Sequence, residues 1–113
     1  MPNRNVDYQA SLDELYRAVL TIQSVDECRD FFSDLFTKQE LVNLSQRFLI
    51  AKLLLSGETY DMVHQKVSVS SSTITRINTE LQFGSGGYKK VLERIRQLDT
   101  ETKTSDMSTT EQN

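Results

Sequence analysis

Apolar residues recur at helical spacing along most of the chain. Leu12, Leu15, Val19 and Ile22 follow one another at steps of 3, 4 and 3, and Val25, Cys28, Phe32 and Leu35 repeat those steps. Each set predicts an amphipathic helix with one face turned inward. Hydroxyl residues followed three positions later by glutamate mark three starts: Ser11 with Glu14, Ser24 with Glu27, and Thr37 with Glu40. In such a capping box the hydroxyl accepts an unpaired backbone N–H while the glutamate reaches back. The spacing of the starts predicts short helices joined by tight turns.

After Thr37 the pattern changes. Leu41, Leu44, Phe48, Ala51 and Leu55 form one stripe, Leu49 and Leu53 a second, and Ile50 and Leu54 a third. A helix apolar around most of its circumference needs cover around most of it. The short neighbouring helices can hardly supply that, so a second copy of the chain is expected to. A central helix inside a monomeric core is the alternative. Gly57 ends this helix, since glycine readily takes the left-handed conformation that closes a C-terminus.

The next stretch has a different character. Thr59 can cap a short helix with Tyr60, Val63 and Val67 on one face. A turn at Ser68 and Val69 leads into a second helix, from about Ser70 to Leu81, striped by Ile74, Ile77 and Leu81. Two short helices around a tight turn, over about residues 59–81, make a helix-turn-helix, with Val63, Val67, Val69, Ile74 and Ile77 as its wedge. The second helix then presents Ser71, Ser72, Thr73, Thr75, Arg76 and Thr79. Short hydroxyl side chains let a helix backbone approach a major groove and bond phosphate or base, and an arginine can reach guanine or phosphate. Lys66 is a candidate phosphate contact. Serine and threonine are mediocre helix formers, so a merely solvated face would more readily use Glu, Lys or Gln.

Composition supports this placement. The net charge of the 113 residues is −3, but residues 36–98 carry 9 basic against 5 acidic side chains. That region can supply nonspecific attraction to a polyanion. One cysteine, Cys28, and one histidine, His64, leave little for a disulfide or a transition-metal site. No membrane-length apolar run, secretory leader pattern or phosphate-cradling glycine loop is visible, so a cytoplasmic, non-membrane protein without enzymatic chemistry is expected. Residues 1–10 are expected to form an arm and residues 99–113, with Met107 the lone apolar residue, a disordered acidic tail.

The segment Thr73-Ile74-Thr75-Arg76 after Val67-Ser68-Val69 resembles the recognition-helix signature of the tryptophan repressor family. Upstream, Phe36-Thr37, Glu40, Leu44, Arg47, Leu54-Leu55, Gly57 and Glu58 resemble that family's central helix and its end. The glycine-rich loop followed by Tyr88-Lys89-Lys90-Val91-Leu92 is closer to the YerC/YecD branch. The resemblance covers roughly residues 11–98 and is strongest from 36 to 81. It implies an all-α, intertwined homodimer whose helix-turn-helix heads bind double-stranded DNA at a palindromic operator, as a transcriptional regulator of the repressor type. A helical dimerisation or adaptor module that keeps the fold without binding DNA is the alternative.

The same resemblance places an effector pocket at Thr37, Arg47, Arg76, Ile77 and Glu80. In the family two arginines sandwich an indole, and Arg47 and Arg76 match them. Ile77, however, stands where the family has a ring-accommodating glycine, and Glu80 where a serine helps hold the ligand's amino group. Ile77 is therefore expected to fill the space itself, with the heads held without tryptophan or any other cofactor. A different, anionic effector stays open. Ser68 replaces the glycine that such turns prefer, at a cost on the order of 1 kcal/mol if the backbone there is left-handed.

Overall fold

The computed structural model describes the backbone of residues 7–111 and the side chains of residues 7–101. Six helices follow one another, and no strand occurs among the described residues: α1 (Tyr8–Leu20), α2 (Val25–Leu35), α3 (Lys38–Leu55), α4 (Tyr60–Lys66), α5 (Ser71–Phe83) and α6 (Gly87–Glu111). The chain divides into two compact units, one ending at Leu41 and the other starting at Val42.

The caps account for most of the helix starts. Ser24 accepts from the Glu27 N–H at 3.1 Å. At Thr37 both arms of the box form: its hydroxyl accepts from the Glu40 N–H at 3.1 Å, and its own N–H donates to Glu40 Oε1 at 2.8 Å. The box expected at Ser11 is not the start of α1. Asp7 caps that helix instead, accepting from the Ala10 N–H at 3.1 Å. An ionised carboxylate is at least as good an N-cap as serine, and nothing between Asp7 and Ser11 interrupts a helix. The helix thus begins inside the span expected to be an arm, whose residues 1–6 lie outside the described residues.

At the other end α6 continues to Glu111, where a disordered tail was expected from residue 99. The chain has neither glycine nor proline after Gly87, so no residue there breaks the backbone pattern. Composition argues from missing apolar surface and says nothing of this.

The core belongs to the second unit. Ile50 and Ala51 of α3, Val63 of α4, Val67 of the turn, and Ile74, Ile77 and Leu81 of α5 are buried together. Leu53, Leu54, Val69, Tyr88 and Leu92 pack against them. The wedge expected of the helix-turn-helix is therefore in place. In the first unit no described residue is buried. Phe31, Phe32 and Phe36 are half-buried, with Phe32 edge-on to Phe36 at a centroid distance of 5.3 Å. Cys28 is half-buried as well.

Candidate nucleic-acid interface

The head begins where α3 stops. Gly57 has φ +96°, its N–H donates to Leu54 O, and the Glu58 N–H donates to Leu53 O, both at 3.1 Å. This is the paired-bond closure of a Schellman motif, and it needs a residue that tolerates the left-handed region. One residue beyond Glu58, Thr59 caps α4 by accepting from the Met62 N–H at 3.2 Å. Helix α4 ends at Lys66, and the Val69 N–H donates to Val67 O at 3.0 Å, turning the chain tightly about Ser68. Ser70 then caps α5.

Burial of Ile74, Ile77 and Leu81 fixes the rotation of α5 about its axis. The opposite side carries Ser72, Thr75, Arg76 and Thr79, all exposed. Arg76 has no ion pair or hydrogen bond among the described residues. The Thr79 hydroxyl donates to Thr75 O at 2.9 Å, which keeps its lone pairs outward and its hydrogen inward. Ser71 and Thr73 flank this face. Ser71 Oγ lies 3.0 Å from His64 Nε2 on α4, and Thr73 Oγ1 lies 3.0 Å from Ser70 Oγ. Ser72 Oγ is also 3.0 Å from Ser70 Oγ, so Ser70 is the hub of a hydroxyl cluster at the start of the helix. Lys66 sits at the end of α4 with its ammonium 2.8 Å from Glu58 Oε1.

Half-buried Thr73 faces the other way from Ser71. With Arg47 of α3, Arg76, Ile77, Glu80 and Tyr88 it lines a cleft of about 150 Å³. Four of the five expected effector-pocket residues are brought together there. The fifth, Thr37, is accounted for at the start of α3, where its hydroxyl caps the helix. Ile77 lines the cleft while itself only 3% exposed, completing the apolar stripe. Arg47 and Thr73 also border a second, more polar cavity of about 260 Å³ with Gln46, Val69 and Ser70.

Four residues of this region escaped the sequence reading in these roles: Ser70 as cap and hub, His64 and Glu58 as partners of candidate interface residues Ser71 and Lys66, and Tyr88 in the cleft. Ser70 had a usable signal, a serine three positions before the Thr73 N–H it satisfies. His64 and Tyr88 meet their neighbours across separate helices, and Glu58 meets Lys66 from the far end of α4, which no local pattern records.

Comparison with known proteins agrees with the architecture. The family model of the Trp repressor protein matches residues 10–96. YerC of Bacillus subtilis (strain 168) is 34% identical over 91 residues, covering 80% of this chain and 88% of that protein. The solved structure of a TrpR-like protein from Eubacterium eligens ATCC 27750 superposes with a TM-score of 0.73 at 40% identity, covering 82% of this chain and 95% of that one. A solved chain from Staphylococcus aureus gives a TM-score of 0.74 at 41% identity, covering 77% and 87% respectively. The fold is all-helical and TrpR-like, and the chain belongs to the Trp repressor family.

Proposed function

We propose that this protein is a sequence-specific, double-stranded-DNA-binding transcriptional regulator that acts as a homodimer in the cytoplasm, as a repressor. One observation carries the reading. On α5 the buried side is wholly apolar, and from Ser72 to Thr79 the side opposite it is a row of small hydroxyls around an arginine without a partner among the described residues. That row suits close approach of a helix to a major groove, with Ser72, Thr75 and Arg76 toward the bases and Ser71, Thr73, Thr79 and Lys66 beside them or on phosphates. Lys89, Lys90, Arg94 and Arg96 on α6 are exposed and add to the positive field of the same unit.

Dimerisation is supported by what one chain leaves open. Leu44, Phe48, Leu49 and Leu55 of α3 stay exposed although they belong to a helix apolar around most of its circumference, and none of residues 7–41 is more than half-buried. Two heads in a symmetric dimer would meet half-sites about 34–36 Å apart. We further propose that the Arg47–Arg76 cleft suits an anionic effector and that tryptophan is not its ligand, because Ile77 stands where the family's ring-accommodating glycine would be. Titration calorimetry showing low-micromolar tryptophan binding would overturn that part.

The decisive experiment is selection of bound duplexes from a random DNA pool at about 0.15 M salt. The expected outcome is a palindrome with half-sites one helical turn apart. Arg76→Ala should then weaken binding to it by about 1–3 kcal/mol. A folded dimer that enriches no sequence, with or without cell extract, would sink the DNA reading and leave a helical dimerisation module.

A further inference from the structure

Glu58 stands at a junction, closing α3 through its backbone N–H and preceding the cap of α4. Its side-chain Oε1 accepts from Nζ of Lys66, the last residue of α4, at 2.8 Å. The two ends of this pair differ. The Glu58 side chain is 18% exposed and the Lys66 side chain 49%. Glu58 Oε2 is buried and has no hydrogen-bond partner among the described residues. The only other ion pair among the described residues, Arg29–Asp26, is a surface pair between neighbouring turns, 65% and 88% exposed. Glu58–Lys66 is instead a sunken anchor holding a half-open cation.

We propose that Glu58 is a positioning residue for DNA binding: it holds the Lys66 ammonium beside the turn into α5, where the ammonium meets a backbone phosphate. The proposal rests on the DNA-binding reading. An ammonium has three N–H donors, so the bond to Oε1 leaves two for phosphate oxygens. A lysine on a flexible four-carbon stem loses much rotamer freedom when it binds, and one already held loses less. The bond that closes α3 comes from the Glu58 backbone N–H, so Glu58→Gln keeps it and should spare the fold. Coulomb attraction alone predicts the opposite effect on binding, because deleting an acid next to a DNA-binding face raises the positive field.

The test uses the full chain and a fluorescein-labelled random-sequence duplex, read by anisotropy across a salt series, with thermal melting as the fold control. Glu58→Gln should melt like the wild type yet bind about fivefold more weakly, despite its added positive charge. Lys66→Met should lower the slope of log K against log salt by about one. The double variant should bind no more weakly than Lys66→Met alone. Binding by Glu58→Gln at or above the wild-type level overturns the proposal and leaves the DNA reading intact. A wild type that binds no duplex even at low salt overturns both. Should Glu58→Gln fail to fold, half-open Lys66 still decides: an unchanged salt slope in Lys66→Met overturns the proposal, and a reduced slope supports it.

Discussion

Between residues 42 and 101 seven apolar side chains are buried, and between 7 and 41 none is, although both regions are amphipathic helices with sound caps. In the second unit α3, α4 and α5 approach one another around Ile50, Val63 and Ile74, each fully buried. In the first, Leu20 is 83% exposed, and Tyr8 and Val25 are each 74% exposed. The difference teaches that an apolar stripe specifies a need for cover and not its source. Where short helices fold back over a tight turn, one chain meets the need itself. Where they do not, the stripes remain on offer to another surface, and α3 carries both situations on one helix.

The sharpest way to break this comparison is to damage the core that one chain completes. Ile74→Ala should destabilise the protein by about 2–5 kcal/mol, through lost burial and a residual cavity. Chemical denaturation should show the loss in the midpoint at every protein concentration. A cost below about 1 kcal/mol would mean the second unit is looser than its packing suggests.

The next effect separates the two kinds of apolar face. Leu49 on α3 is 41% exposed in the single chain. If a second copy covers it, Leu49→Lys should cost roughly 2 kcal/mol per subunit, and sedimentation should show a shift from dimer to monomer. The wild-type melting temperature should also rise with protein concentration, as mass action requires. A monomeric protein would instead tolerate the substitution within about 0.5 kcal/mol.

Smaller effects sharpen the local side. Gly57→Ala places a Cβ at φ +96° with nothing within 4 Å of it, so the penalty is backbone strain alone. About 1–2 kcal/mol is expected, measurable as a lowered melting temperature. Thr37→Ala removes one arm of the capping box at the start of α3 and should cost about 1 kcal/mol by the same measurement. A loss much larger than that would point to a second role for the Thr37 hydroxyl.

The local part of this fold was legible from the chain. The boxes at Ser24 and Thr37, the stop at Gly57, the cap at Thr59 and the wedge of Val63, Val67, Ile74 and Ile77 follow from spacing and residue type. Their physics is contained within one or two helical turns. One local reading needed correction for an equally local reason: Asp7 is a competent cap four residues before Ser11.

Tertiary structure alone decided the pairings among side chains on different elements. That His64 meets Ser71, and that Tyr88 joins Arg47 and Arg76 around one cleft, depends on how α3, α4, α5 and α6 cross. Crossing geometry is set by the summed packing of the core, and no single residue announces it. The sequence by itself determined which faces of the helices are apolar and where each helix begins and ends. Packing decided which of those faces one chain could close, because burial requires a second surface at the right distance.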